Sequence, residues 1–226
     1  METQQAKIRI LQAEKEFVTI CKEPGAECEH EIPQLLAGAL GGAAQDFYCV
    51  HRLDRAVGGV MVYARSQKAA AGLSAQIQNH EFQKEYLAVV PGVPQPPQGV
   101  LQDYLYHDKQ KGKAFLVKRL RRGVKEARLE YRVLSTAQVH GEQASLVRVR
   151  LHTGRFHQIR AQFAGRKMPL LGDGRYGSRE KGCGIALFSC AVGFTGPGGK
   201  WLLTEQTPPD AFPWNCFSKE LQEAKE

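Results

Sequence analysis

The sequence has no long apolar run. None of its segments approaches the ~18–20 consecutive apolar residues that a membrane helix needs. The N-terminal stretch also lacks an apolar core, and its three glutamates, at positions 2, 14 and 16, disfavour a secretory or transit peptide. Internal repeats and long linkers are missing as well. We therefore expect one cytoplasmic domain covering residues 1–226, monomeric and not attached to a membrane.

Cysteine pairs with the spacing of a metal site are missing too. The six cysteines stand at positions 21, 28, 49, 183, 190 and 216, and none forms a CxxC pair or a Cys/His cluster. A chain of this length buries a core without disulfide bonds. The sequence therefore predicts reduced cysteines in a cytosolic protein and no structural zinc.

Acidic residues are few relative to basic ones. Lys and Arg number 31 against 23 Asp and Glu, which gives a formal net charge of +8. The segment 109–128 concentrates this excess, with nine Lys or Arg and a single acid. A solvated face is the plain explanation for a run of charges, but this density favours contact with phosphates. Nucleic acid is the commonest partner of such a surface.

The chain alternates short apolar segments with turns, and this pattern predicts mainly strands. Four prolines within residues 91–99 predict a connecting loop. A helix is expected over 66–80 with Ser66 as its N-cap, and another in the tail beyond Pro213. A short helix is expected directly after residue 154, with Phe156, Ile159 and Phe163 on its buried side. Strands are expected at 7–11, 16–21, 58–64, 83–90, 128–135, 144–154, 185–194 and 200–206. Because regular strand–helix alternation is missing, we predict an α+β fold with a mixed, mostly antiparallel central sheet flanked by helices and loops.

Polar and charged residues crowd two places beside predicted strands. His51-Arg52-Leu53-Asp54 precedes the strand at 58–64, and residues 153–160, TGRFHQIR, come just after the strand residues 145–151. Chain segments at strand ends carry functional groups on rigid supports. Each residue alone has a structural explanation, since an aspartate can cap a turn and a histidine can be a satisfied core residue.

Four motifs in one order carry a family resemblance. The segment HRLDRAVGGVMVYAR, residues 51–65, resembles the HRLD segment of the RluA-type pseudouridine synthases. KEYLAVV (84–90), LHTGRFHQIRAQFA (151–164) and PLLGDGRYG (169–177) are similar to later motifs of that family, and KEPG (22–25) stands where it has NKPxG. The resemblance implies the pseudouridine synthase fold and isomerisation of uridine to pseudouridine in ribosomal or transfer RNA. That chemistry needs no cofactor and no metal.

The resemblance also implies three catalytic residues. Asp54 would attack C1′ of the nucleotide or remove its C2′ proton to give a glycal, and the sequence leaves both routes open. Arg155 would keep this carboxylate charged inside an apolar pocket. Tyr86 would lie against the uracil and accept the C5 proton at the end of the reaction.

Further residues are predicted to bind the substrate. Leu151 would form an apolar wall, and Arg52 would fill the space of a flipped-out nucleotide or grip a neighbouring phosphate. His51 would support its loop by hydrogen bonding. Arg160 and the cations of segment 109–128 would contact the RNA backbone. The full set of predicted substrate and RNA contacts is His51, Arg52, Leu151, His157, Gln158, Arg160, Lys118, Arg119, Arg121 and Arg122.

Some residues depart from the family pattern. Val57-Gly58 replace Thr-Ser, and Phe156 replaces a small Thr or Ser, so both changes can reshape the pocket and alter target preference. Because about twenty residues precede KEPG, we expect no S4-type RNA-binding domain, and we expect affinity to come from the catalytic domain itself. Two alternatives stay open. One is a non-catalytic RNA-binding or assembly protein on the same fold, and the other is a hydrolase that uses His152 or His157.

Overall fold

A computed structural model of the protein describes residues 7–223. Residues 1–6 lie outside the described part. They begin the segment in which we expect no leader peptide. The described residues form four α-helices, α1 Glu31–Leu40, α2 Gln67–Gln78, α3 Gln158–Ala164 and α4 Ser218–Glu223. They also form eleven strands, β1 Ile8–Ala13, β2 Phe17–Lys22, β3 Tyr48–Cys49, β4 Gly58–Ala64, β5 Gln83–Pro91, β6 Gln98–Asp108, β7 Lys113–Val117, β8 Val124–Val139, β9 Glu142–Leu151, β10 Leu187–Thr195 and β11 Trp201–Glu205.

The described residues fall into two compact units. Unit one comprises the residues up to Lys84 together with Ser189–Gln206. Unit two comprises Glu85–Phe188 and the residues from Thr207 onward. The chain therefore passes from unit one to unit two within β5 and returns within β10. The expectation of one domain over the whole chain stays a prediction.

Unit one is built around strand β4. The strand order is β1-β2-β4-β10, with β3 also paired to β4 and β11 paired to β10. Every residue of β2 and of β4 is buried, so both strands lack an alternation of apolar and exposed polar residues; Thr19 and Lys22 of β2 are buried polar side chains. Helix α2 begins after Ser66, whose hydroxyl accepts a hydrogen bond from the Ala69 amide at 3.1 Å, as the sequence predicts. Leu73 of this helix joins the core formed by Phe17, Val60 and Phe194.

Unit two is an antiparallel arrangement of long strands. The order is β5-β9-β8-β6-β7, and all four pairings are antiparallel. Helix α3 packs on it through Ala161, which contacts Leu105 of β6 and Ala114 of β7. The helix was predicted to bury Phe156 as well, and this prediction is wrong. Phe156 is 38% exposed and precedes the helix, because His157 adopts a left-handed conformation with φ 50° and α3 begins only after it.

The predicted α+β class with a mostly antiparallel sheet is confirmed. The sequence interpretation missed the β6–β7 hairpin, because its lysines and turn residues hide the apolar alternation. Strand β7 stands at the end of the strand order and begins with Lys113, between Lys111 and Lys118, and this charge discourages pairing with other chains. Within residues 7–223, no helix is both long and apolar enough to span a membrane.

Candidate active site

The loop between β3 and β4 carries Asp54. The backbone carbonyl of Asp54 accepts a hydrogen bond from the Val57 amide at 2.9 Å, which closes a tight turn. Leu53 and Val57 are buried on either side of the acid and anchor that turn. The carbonyl of Arg55 is fixed from outside the loop, because it accepts a hydrogen bond from the Gly25 amide at 2.7 Å. The backbone around Asp54 is therefore held at both ends.

Lys22 is a buried cation beneath this loop. Its side chain is fully buried, and Nζ donates to the backbone carbonyls of Glu23 and Arg55, each at 3.1 Å. Burial lowers the pKa of the Lys22 ammonium, while the negative charge of Asp54 acts in the opposite direction. The sequence interpretation treated KEPG only as a turn and missed this lysine. A lysine at the end of an otherwise apolar strand was the available signal.

Two thiols brace the same loop. Cys28 Sγ donates to the Leu53 carbonyl at 3.3 Å, and Cys49 Sγ donates to the His51 carbonyl at 3.1 Å. Burial raises the pKa of Cys49 to about 12, and it also raises the pKa of Cys28. Both thiols therefore stay protonated and keep their role as donors. Sequence reasoning assigned these cysteines no place near the site.

His51 lies against the core side of the loop. Its Nε2 accepts a hydrogen bond from the Val62 amide of β4 at 3.1 Å, and its ring lies 5.3 Å from that of Phe82 between centroids. Burial, with a smaller contribution from the charge of Lys84, lowers the pKa of His51 to about 3. The imidazole is therefore neutral at physiological pH and supports the loop. A contact of His51 with RNA stays a prediction.

Arg52 points away from the core. Its Nη1 lies 3.2 Å from both carboxylate oxygens of Glu29, and the two side chains are 65% and 48% exposed. An exposed ion pair of this kind contributes about 0–1 kcal/mol. If an RNA phosphate replaced the Glu29 carboxylate as the partner of Arg52, the lost ion pair would therefore cost little free energy.

Tyr86 and Leu151 share one face of unit two. Tyr86 on β5 is buried and lies directly opposite Val149 on β9. Leu151 is two residues beyond Val149 on the same strand, so its side chain projects to the same face. The structure thus brings together the predicted uracil contact and the predicted apolar wall.

Gln158 organises the turn between β9 and α3. Its Oε1 accepts hydrogen bonds from Thr153 Oγ1 at 2.8 Å and from the Arg155 amide at 3.0 Å. Its Nε2 donates to the Arg128 carbonyl at 3.1 Å, and the side chain is buried. Gln158 therefore shapes the segment that carries Arg155. Its predicted contact with RNA stays a prediction.

The two arginines of this segment have different surroundings. Arg160 is 4% exposed, and its Nε and Nη2 donate to the Asp173 carboxylate at 2.7 and 2.9 Å. Asp173 is itself 1% exposed, so this is a buried bidentate ion pair. Arg155 is half-buried, and its Nε donates to the Glu126 backbone carbonyl at 2.7 Å. Sequence reasoning gave Asp173 no role, although the GDGRYG motif pointed to it.

The remaining predicted contacts lie elsewhere in unit two. His157 places Nδ1 3.2 Å from the Tyr176 hydroxyl. Lys118, Arg119, Arg121 and Arg122 lie in the exposed connection between β7 and β8, where Leu120 is also 61% exposed. Among residues 7–223, no three His, Cys, Asp or Glu side chains cluster in the manner of a metal site.

Comparison with known proteins identifies the class. The sequence profile of the RNA pseudouridylate synthase family matches residues 16–165. An uncharacterized RNA pseudouridine synthase of Aquifex aeolicus is 30% identical over 223 residues, which cover 88% of this chain and 69% of the relative. The ribosomal large subunit pseudouridine synthase C of Escherichia coli K12 is 30% identical over 225 residues, covering 91% of this chain and 68% of that protein. The structure of human RNA Pseudouridylate Synthase Domain Containing 1 matches with a TM-score of 0.78 and 20% identity, covering 94% of this chain and 88% of the other.

The chain belongs to the RNA pseudouridylate synthase family. It is a pseudouridine synthase, an isomerase that acts on RNA. The similarity to the human structure shows that the fold is shared.

Proposed function

We propose that the protein isomerises specific uridines of ribosomal or transfer RNA to pseudouridine, as a cytoplasmic monomer, with Asp54 as the reacting group. The rigid loop around Asp54 supports this proposal most directly. Four donors hold three of its backbone carbonyls, since two thiols bind the carbonyls before the acid, and Lys22 and the Gly25 amide bind the carbonyl after it. A nucleophile or base on a fixed backbone needs no conformational ordering before it reacts, and this lowers the entropic part of the activation barrier.

The proposed reaction exchanges one bond for another. The C1′–N1 bond breaks, the uracil turns, and C1′ joins C5, whose proton is then lost while N1 gains one. Asp54 begins the sequence by attack on C1′ or by removal of the C2′ proton, and it is regenerated in either case. Tyr86 lies against the base and accepts the C5 proton. Neither redox chemistry nor group transfer takes part, so the proposal includes no cofactor.

A cation is required to keep the carboxylate ionised where water is excluded. We assign this role to Arg155 on the resemblance of TGRFHQIR to the family motif. Arg160 is the alternative cation of the same segment, although Asp173 already pairs with its guanidinium. The two assignments make different predictions, which the variants in the Discussion separate.

Mapping of pseudouridines across total RNA tests the proposed function. Strains with and without the gene should differ at a small number of uridines in ribosomal or transfer RNA. The wild-type gene should restore these sites, and a gene encoding Asp54→Asn should not. Identical maps in all strains, together with RNA that still copurifies with the protein, would favour the non-catalytic binding protein instead.

The exposed β7–β8 connection gives a prediction on RNA affinity. Replacing Lys118, Arg119, Arg121 and Arg122 together by Gln should weaken RNA binding and flatten its dependence on salt. Each lost phosphate contact reduces the slope of log K against log salt by about 0.7–0.9. Fluorescence anisotropy with a labelled RNA over a salt series measures both quantities.

The matched control removes the same charge from other exposed positions, Lys15, Lys68, Lys200 and Lys219. This control should keep most of the affinity and the slope. If both quadruple variants change binding equally, the connection contributes only to net charge and RNA docks elsewhere.

A further inference from the structure

Three aromatic rings form a continuous stack on unit two. The ring centroid of Phe156 lies 3.9 Å from that of His107 and 3.8 Å from that of His157, with 20° between the planes in both pairs. Two rings so close to a third cannot share one of its faces, so the imidazoles cover opposite faces of Phe156. Phe156 is nevertheless 38% exposed, so the stack is in part open to solvent.

The stack is anchored at its His157 end. His157 meets the ring of Tyr176 edge-on, with centroids 5.7 Å apart, and its Nδ1 lies 3.2 Å from the Tyr176 hydroxyl. That hydroxyl accepts a hydrogen bond from the Ala114 amide of β7 at 2.8 Å. The outer end is His107, a half-buried residue of β6. The rings are therefore held in a fixed order, and the outer face of His107 ends the stack.

Cations lie near two further rings of unit two, Tyr176 and Phe115. Lys113 places Nζ 4.8 Å from the ring centroid of Tyr176 and 5.6 Å from that of Phe115. Lys111 lies 5.7 Å from the Phe115 centroid, and Arg175 donates to the Gly112 carbonyl at 2.8 Å. Planar rings and positive charges on one domain are the combination that binds single-stranded nucleic acid, where bases stack and phosphates meet cations.

We propose that the His107–Phe156–His157 stack is a platform on which an unpaired base of the RNA substrate stacks, continuing the column of rings at His107. Core packing does not account for Phe156, because the residue is exposed and stands where the family pattern has a small Thr or Ser. The proposal rests on the proposed function for the identity of RNA as the substrate. Its test needs binding alone and is independent of turnover.

Two oligonucleotides of equal charge test the platform. A twelve-nucleotide oligouridylate and an abasic oligomer with the same number of phosphates are compared in anisotropy titrations. Phe156→Ala should weaken binding of the oligouridylate about five- to tenfold, since a base stacked on an aromatic side chain contributes on that scale. Binding of the abasic oligomer should change by less than about twofold, because its phosphates contact the same cations.

Further variants separate stacking from folding. Phe156→Leu keeps apolar bulk without a flat ring, so it should lose the same preference, and His107→Ala should resemble it. Tyr104→Ala removes a comparably exposed aromatic ring, 36% exposed, from the opposite face of β6 and should change neither titration. Equal weakening of both oligomers by Phe156→Ala, or no weakening of either, would overturn the proposal. A wild-type protein that does not prefer the oligouridylate would overturn it too.

Phe156→Ala should weaken binding of the oligouridylate equally in an Asp54→Asn background, where no isomerisation takes place. If Phe156 shows its base-dependent effect while the pseudouridine maps do not change, the platform stands and the proposed function fails.

Discussion

Asp54→Asn is expected to abolish isomerisation and leave folding and RNA binding intact. The amide keeps the shape of the carboxylate but is neither a nucleophile toward C1′ nor a base, so the rate should fall by at least about 10²–10⁴-fold. The turn should survive, because it is closed by the backbone carbonyl of residue 54 and the Val57 amide. Tritium release from RNA labelled with [5-³H]uridine measures turnover, and anisotropy measures binding.

Asp46→Asn is the matched control for this variant. Asp46 is an exposed carboxylate of unit one that accepts a hydrogen bond from the Ala43 amide at 2.8 Å, and the oxygen of an asparagine accepts that bond equally well. Its turnover should match that of the wild type. Turnover near the wild-type rate in Asp54→Asn would remove Asp54 from the mechanism, whatever the RNA substrate.

Arg160→Ala is expected to unfold the protein far more readily than Arg155→Ala. Removing Arg160 leaves the carboxylate of Asp173, 1% exposed, buried without its cation, and a broken buried pair costs about 3–5 kcal/mol of the free energy of unfolding. Arg155→Ala removes a hydrogen bond to the Glu126 carbonyl at a half-buried position, which costs about 0.5–1.5 kcal/mol. Urea denaturation of the three proteins compares these values. Equal free energies of unfolding for the wild type and both variants would show that the Arg160–Asp173 pair does not stabilise the fold.

The rate of isomerisation should depend on Arg155 more than on Arg160, which reverses the order expected for stability. If Arg155 holds Asp54 ionised, Arg155→Ala should slow single turnover at neutral pH and recover partly as the pH rises. Lysine at this position should restore only part of the rate, since it lacks the planar fork of arginine.

The competing assignment needs a variant that still folds. Replacing both partners of a buried pair by apolar residues is often tolerated, so Arg160→Met combined with Asp173→Leu is suitable. Full activity of Arg155→Ala beside an inactive, folded double variant would transfer the role to Arg160.

Local patterns in the sequence predicted the parts of the fold that depend on local interactions. Ser66 was identified as a helix cap because its hydroxyl reaches the amide of Ala69 within one turn. Strand β9 was visible because buried valines alternate with arginines along it. Phe156 was misplaced for a related reason. Its spacing from Ile159 continues the helical period, but the left-handed conformation of His157 ends that period before α3 begins.

The supports of the candidate site could not be predicted in this way. Lys22 meets the carbonyl of Arg55, and Cys28 meets that of Leu53, across 33 and 25 residues of sequence. Hydrogen bonds to a distant backbone carbonyl leave no periodic trace, since almost any chain segment offers such an acceptor. The order of the four motifs predicts which residues react. It did not indicate which residues hold them.

The pairing of β4 with β10 also affects how the protein folds while it is being synthesised. Gly59, at φ 121°, approaches the backbone of Ser189 so closely that a side chain would collide with it, and the Ser189 hydroxyl donates to the Val60 carbonyl at 3.0 Å. These strands are 129 residues apart in sequence. At about 5–20 residues per second, a ribosome takes roughly 6–26 s to supply β10 after β4 has been synthesised. During that interval β4 is an apolar strand with an unpaired edge, the kind of surface on which chains from neighbouring ribosomes join. Nascent chains that stall before Ser189 should therefore aggregate or be bound by chaperones. Chains that are synthesised past Gln206 contain all of unit one and should neither aggregate nor require chaperones.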